Sequence, residues 1–451
     1  MMTKHLKHLL VALLIAGSLP SLHGQEKKKI GQETAAQKEK RMAWWTHDRF
    51  GMFIHWGLYA LPARHEWVKH NERLTNEQYQ TYFDLFNPNQ FDPKAWAKQA
   101  KAAGMKYAVL TTKHHEGFCL FDSRYTDYKA TNTPAKRDLV REFVDAFRAE
   151  GIKVGFYYSL IDWHHPDFTI DDVHPQRVDT DKGNTYAQLN KGRDMNKYRQ
   201  YLRNQLTELL TQYGKIDILW LDFSYPGKYG KGKDDWDAVN LLKMIRKLQP
   251  GIIVDNRLNL DEYEDGADFL TPEQVKVAEL AQYRGKTWET CQTFSGSWGY
   301  YRDENSWKST HELLELLIGS VSGGGNLILN VGPTARGNFD YRAQKALANI
   351  GEWMKGNSEA IYGCTFAPDD FKTPENTRLT YNPAAKRLYV HLMEYTPRLV
   401  LPGYKGRVKY AQLLHDDSEV KITTANDKDL AIILPDKKPE VEIPVVELVL
   451  E

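Results

Sequence analysis

One hydrophobic pattern returns along much of the chain. A helical stripe of apolar residues ends at a glycine, an apolar run follows, and the run stops on polar side chains. In "DPKAWAKQAKAAGMKYAVLTTKHH", Asp92 can cap a helix, Pro93 suits its first turn and Gly104 can stop it. The run that starts at Tyr107 then meets Lys113, His114 and His115. In "RDLVREFVDAFRAEGIKVGFYYS", Leu139, Val140, Phe143, Val144 and Phe147 share a helical face, Gly151 ends it, and the strand reaches Tyr157, Tyr158 and Ser159. A third copy passes Gly214 and ends "KIDILWLDF", on Asp222. A fourth ends on Asn256 and Arg257, and a later one ends on Asn330.

Helices alternating with buried strands predict parallel pairing and right-handed crossovers. With "GMFIHWGL" there are at least six such strands. Polar residues recur at their C-terminal ends, where barrel enzymes place their sites. No GxGxxG follows the first strand, so a dinucleotide fold loses support. The predicted class is α/β: a (β/α)8-like, TIM-type barrel. From about Thr365 the pattern shortens to alternating segments broken by Pro, Gly, Asn and Asp, which predicts a small C-terminal antiparallel β-sandwich. The expected units are a signal peptide at 1–24, a catalytic barrel at 25–362 and the sandwich at 363–451. The sandwich is expected to buttress the barrel.

Composition changes this picture little. The chain has 451 residues and a formal net charge of +1, which argues against nucleic acid as a partner. Twelve Trp and 25 Tyr supply either core or stacking platforms for a ligand with an apolar face. Lys4 and Lys7 precede an apolar run, Leu9 to Leu19, and then small and polar residues. That is the layout of a secretory signal cut near Gly24, and the run is short for a bilayer, which takes about 20 residues. The mature protein is expected to be exported, periplasmic or secreted, with no membrane association. Cys119, Cys291 and Cys364 lie too far apart in sequence to suggest a disulfide framework. Neither CxxC nor HExxH occurs, so no metal and no cofactor is expected. Nothing in the composition fixes an oligomeric state.

The polar strand ends are His55, His114, His115, Tyr157, Tyr158, Asp222, Asn256 and Arg257. Loop residues Glu66, Trp67, Glu273 and Trp298 join them, with Glu289 from "WETC". In a barrel these would converge on one mouth. Imidazoles and carboxylates hydrogen-bond hydroxyls, and Trp stacks on the C–H face of a sugar, so a polyhydroxylated ring fits. By simple alternation, only one of His114 and His115 should point inward. Glycoside cleavage needs two carboxylates, one to attack or activate water and one to protonate the leaving oxygen. Asp222 suits the first role if Arg257 or a histidine supports its charge. Glu273 suits the second.

The stretches "RFGMFIHWGLYALPARHEWV", "YAVLTTKHHEGFCLFDS", "GFYYSLIDW", "LWLDF", "IIVDNR", "WETCQTFSGSWGYYR" and "GGGNLILNVGPTARG" occur in that order. They resemble the family 29 glycoside hydrolases, the α-L-fucosidases, over roughly residues 43–365. The resemblance implies an exo-acting, retaining enzyme for fucosylated glycans, with a covalent fucosyl intermediate on Asp222. It implies a fucose pocket of His55, Glu66, Trp67, His114, His115, Tyr157 or Tyr158, Trp220, Arg257 and Trp298. Both histidines in one pocket would require strand alternation to break there. Placement after the arginine strand favours Glu273 as acid/base, with Glu289 as its rival. Two other readings stand beside this one. One is a metal-dependent hydrolase with His55, His114, His115 and Asp222 as ligands, and the other is a catalytically silent sugar-binding protein.

Overall fold

A computed structural model describes residues 28–179 and 185–451. The expected signal segment, 1–24, lies outside the described residues.

The barrel is a parallel sheet of β1 (Phe50–Ile54), β2 (Tyr107–Lys113), β3 (Lys153–Ser159), β4 (Ile218–Asp222), β5 (Ile253–Val254), β6 (Glu289–Thr293) and β7 (Asn326–Val331). Their order is β5-β4-β3-β2-β1-β7-β6. The edge strands β5 and β6 do not pair with each other. Phe269–Glu273 fills the gap as an irregular eighth stave, with parallel bridges Asp255–Phe269 on one side and Leu270–Trp288 and Glu273–Cys291 on the other. Pro272 has no N–H to give to a ladder, which suits it to this broken stave and not to a regular strand. Asn256 pins the stave, because its Oδ1 accepts from the Thr271 backbone N–H at 3.1 Å and from Thr271 Oγ1 at 2.8 Å.

The predicted helices form. Asp92 caps Pro93–Ala102, and Asp138 caps Leu139–Ala149, whose buried face is the predicted apolar stripe. Inside the barrel a separate cluster stacks Phe53, Tyr107, Val109, Tyr157, Ile218, Trp220, Phe269 and Ile328. Gly51 makes room for this layer: a Cβ there would sit 2.2 Å from the Tyr107 ring. The N-terminal end is closed by the helix Ala35–Asp48, which buries Met42 and Trp45 in that cluster. Arg41 ties this helix down, donating to Asp268 at 2.8 and 3.0 Å.

The C-terminal part holds β8 (Thr377–Asn382), β9 (Arg387–Leu392), β10 (Arg398–Leu401), β11 (Val408–Leu413), β12 (Lys421–Thr424), β13 (Leu430–Ile433) and β14 (Val445–Leu450). They make two antiparallel sheets, β11-β14-β9-β8 and β10-β13-β12, around their own apolar core. Trp353, on the last barrel helix, donates its indole N–H to the Ile443 carbonyl at 2.8 Å and joins the two parts. Among the described residues no helix is long and apolar enough to cross a membrane.

Candidate active site

A pocket of about 90 Å3 opens where β1–β4 and the eighth stave end. Its walls include His55, Trp67, His114, His115, Tyr157, Trp220, Asp222, Arg257, Glu273 and Trp298. Apart from Asn256, which pins the eighth stave, ten of the thirteen residues expected at the site therefore meet here. Phe53, Phe223 and Cys291 also line it and were not anticipated. Phe53 was legible, since it stands two residues before His55 and shares its face of the strand.

Asp222 is the last residue of β4. Its Oδ2 accepts from the Tyr157 hydroxyl at 2.7 Å and its Oδ1 from Arg257 Nη1 at 3.1 Å. Burial pushes its carboxyl above the ordinary range, Arg257 pulls it back and Glu273 pushes it up again. Glu273 ends the eighth stave and accepts from Arg257 Nη2 at 2.8 Å. One guanidinium thus holds both carboxylates. Its Nε donates to Thr271 Oγ1 at 2.8 Å, and it lies 5.0 Å from the Trp220 ring centre. The Asp222 side chain is 13% exposed and that of Glu273 43%. The first sits down in the pocket and the second at its lip. Each is followed by a non-glycine residue at positive φ, Phe223 at 85° and Gln274 at 52°. Such backbone costs roughly 1–3 kcal/mol and persists where the surroundings enforce it.

Both histidines of "KHH" reach the pocket, which corrects the simple alternation. The β2–β3 register shifts between Thr111 and Lys113, so the pleat breaks just before His114. Lys113 is turned away into a buried pair with Asp162 at 3.0 Å. Hydrogen-bond partners fix two of the three imidazoles. Asn330 donates to the Trp298 carbonyl at 2.6 Å, so its Oδ1 faces His55 Nδ1 at 2.7 Å and makes that nitrogen a donor. Ser159 donates to the Ile161 carbonyl at 2.7 Å, so its Oγ accepts from His115 Nδ1, also at 2.7 Å. Burial lowers both imidazoles, His55 to about 3, so both are neutral. Each keeps Nε2 as an acceptor, the group that receives a sugar hydroxyl.

Three expected residues are not on this wall. Tyr158 alternates outward from Tyr157 and donates to Gln205 Oε1 at 2.8 Å, among the surrounding helices. Glu66 is buried behind the rim. Its Oε2 accepts from Ser297 Oγ at 2.9 Å and from the backbone N–H groups of Trp298 at 3.1 Å and Gly299 at 2.9 Å. It acts on the pocket by fixing the turn that carries Trp298. Gly299 is needed there, because a Cβ would lie 2.8 Å from Tyr59 and 3.0 Å from Glu66. Glu289 is the first residue of β6, so it sits at the floor of the barrel and not at its mouth. It is wholly buried, accepts a hydrogen bond from the Tyr107 hydroxyl, and burial pushes it up to about 7. As an acid/base partner for Asp222 it is at the wrong end of its strand. Among the described residues no group of three or more His, Cys, Asp or Glu is arranged to hold a metal ion.

The family model for α-L-fucosidases matches residues 19–359. The chain belongs to the α-L-fucosidase family of glycoside hydrolases. α-L-Fucosidase isoenzyme 1 from Paenibacillus thiaminolyticus has a similar structure, with a TM-score of 0.83 and 46% identity over 92% of this chain and 99% of that one. The tissue α-L-fucosidase of Homo sapiens is 29% identical, covering 96% of this chain and 93% of its own. An α-L-fucosidase from Bacteroides thetaiotaomicron, solved as a trapped covalent intermediate with 2-fluoro-fucosyl fluoride, has a TM-score of 0.78 and 29% identity. The match covers 94% of this chain and 98% of that one. A fucosidase site at the mouth of this barrel accords with the pocket's neutral acceptors, aromatic walls and carboxylate pair.

Proposed function

We propose that the chain is an exported, retaining exo-α-L-fucosidase that releases terminal fucose from glycans. The observation that carries the mechanism is the Arg257 fork between Asp222 and Glu273. Two carboxylates held by one guanidinium suit the ~5–5.5 Å spacing of a retaining pair better than the ~6.5–9.5 Å of an inverting one. The fucosyl ring fills the inner pocket, its hydroxyls donating to His55 and His115 and its apolar face against Trp298. Asp222 attacks the anomeric carbon while Glu273 gives its proton to the departing oxygen. The bond to the leaving group breaks as the bond to Asp222 forms. Glu273 then takes a proton from water, whose oxygen displaces Asp222 and restores the α configuration.

The small volume of the pocket supports exo action, since it leaves room for a terminal ring only. The basic and then apolar start of the chain supports export, with a catalytic unit over 25–362 and a supporting sandwich over 363–451. No residue of the sandwich lines the pocket.

Azide rescue tests the roles. Asp222→Gly on an activated aryl α-L-fucoside with azide should yield the β-fucosyl azide, and Glu273→Gly the α-fucosyl azide. Wild-type turnover by Asp222→Gly would remove the nucleophile, and wild-type turnover by Glu273→Gly would remove the acid. Undiminished activity after exhaustive chelation would dismiss the metal-dependent alternative.

A further inference from the structure

Where the barrel meets the sandwich there is a cavity of about 270 Å3, and it shares no residue with the sugar pocket. Three stretches enclose it: the short helix Val277–Tyr283, the end of the helix Thr310–Ser322, and the chain from Phe366 to Leu379 that leads into β8. Ligand sites favour such joints between domains, and this volume lies just under the ~300–1,000 Å3 of ordinary ones. It suits one ring or a short chain, not an oligosaccharide. Val277, Leu280, Pro368 and Leu379 give it apolar walls.

Its polar lining is rich in donors. Arg284 and Arg378 both stand on the wall. Arg284 lies 4.3 Å from the Phe366 ring centre, and its Nη2 donates to the Ala367 carbonyl at 3.1 Å and pairs with Asp369. Its Nε and Nη1 have no partner among the described residues. Asp369 is the one carboxylate among the lining residues, and its side chain is 87% exposed. An ion pair so open to water is weak. Arg378 reaches Glu315 only at 3.4 Å, and its Nε is buried without a hydrogen-bond partner. A guanidinium has five N–H donors and keeps its charge, so these two cations carry more donors than the protein around them accepts. Ser322 and Thr373 add hydroxyls to the same wall. The helix that ends here does not cancel the positive charge, because the N–H groups of Gly323, Gly324 and Gly325 already take up its carbonyls at Gly319, Ser320 and Val321.

We propose that this cavity binds a small organic anion, a carboxylate on a single apolar ring or short chain, at Arg284 and Arg378. The planar guanidinium fork matches a carboxylate with two parallel hydrogen bonds. The apolar body of the ligand lies against Leu280 and Leu379. Inorganic phosphate would meet the arginines but leave those walls uncovered, and a neutral ring would cover the walls but leave the arginines unmet. The bound anion touches barrel and sandwich together, so it fastens one to the other.

The test is calorimetric titration of the whole protein with benzoate, benzyl alcohol and inorganic phosphate. Benzoate should bind saturably, one per chain, and the other two about tenfold more weakly or worse. Arg284→Gln and Arg378→Gln should each weaken benzoate about tenfold or more, the worth of a hydrogen bond to a charged group. Ala281→Phe keeps both charges and fills the cavity, and it should abolish binding. Thermal melts accompany the titrations. Benzoate should raise the Tm of the wild type, because it binds the folded chain, and should leave the Tm of the three variants nearly in place. A cooperative melt shows that each variant is folded. No saturable binding of benzoate to the wild type would overturn the proposal, and so would binding that all three variants retain. Benzyl alcohol or phosphate bound as tightly as benzoate would overturn it too, by removing the need for the charge or for the apolar body.

Discussion

Asp222 and Glu289 are carboxylates in the same barrel, at opposite ends of it. Asp222 closes β4 at the mouth and Glu289 opens β6 at the floor. Burial pushes both upward. At the mouth a guanidinium and a tyrosine hydroxyl oppose that push. Among the described residues no cation faces Glu289 at the floor: the Tyr107 hydroxyl donates to one of its oxygens, and the Tyr107, Trp220 and Trp45 donors lower its carboxyl only in part against burial. A buried carboxylate without a positive partner neutralises itself by holding its proton. The difference teaches that position along the strand, not residue type, separates the carboxylate proposed as nucleophile from a structural acid. The mouth is where loops after each strand can bring an arginine. The floor is sealed by the helix Ala35–Asp48 and its Trp45.

The largest effect should come from deleting the cation. Arg257→Met leaves two carboxylates facing each other with no positive charge between them. We expect kcat/KM on an aryl fucoside to fall roughly 10²–10³-fold, the scale of losing one oriented charge-stabilising donor. The pH profile should move as well. Asp222 must be ionised to attack, and Arg257 lowers its pKa, so without Arg257 the acidic limb should shift to higher pH. An acidic limb that stays in place would mean that the mouth and floor carboxylates do not differ through this arginine.

The floor should respond in stability instead. Glu289 is held at about 7, against 4.5 for an ordinary glutamate. Its folded pKa is raised, so its contribution is fully present below about pH 4.5 and is lost as pH rises through 7. A shift of this size corresponds to roughly 3 kcal/mol across that window. Glu289→Gln cannot titrate, and the Tyr107 hydroxyl can turn to meet the amide. The variant should lose much less stability than wild type between pH 4.5 and 7.5 in urea melts at a series of pH values. Parallel pH dependences for the two proteins would refute a proton held at the floor.

Much of this arrangement is written in the chain. The helix–glycine–strand copies end on His114, Tyr157, Asp222, Arg257 and Asn330 because a parallel barrel delivers every strand's C-terminal end to one face. What did not show was local. The eighth stave has no helix before it and carries Pro272, so periodicity does not reveal "DFLTPE" as barrel wall. The register shift that turns His114 inward arises from β2–β3 pairing, which no window along β2 contains. Glu66 looked like a ligand because it stands beside Trp67, yet its three donors come from residues 297–299, more than 200 positions away. Glu289 was misplaced for a simpler reason. It is the first residue of its strand, and strand direction alone sends it to the floor.

The smallest effect comes from the pair that alternation divides, Tyr157 and Tyr158. Tyr158 stands outside the barrel wall, its hydroxyl on Gln205 and its ring 4.4 Å from the Lys113 ammonium. Tyr158→Phe keeps the ring, and with it the attraction for Lys113, but leaves the Gln205 carbonyl without its donor. The cost should be about 1 kcal/mol of stability. The acidic limb and kcat on an aryl fucoside should not change, because no atom removed faces Asp222. Tyr157→Phe removes a donor at 2.7 Å from the Asp222 oxygen, so it should move that limb upward, in the same sense as Arg257→Met and by less. If Tyr158→Phe moved the limb as far as Tyr157→Phe, the outward placement of Tyr158 would be wrong. The division of the barrel into a chemical inner face and a structural outer one would then fail at this strand.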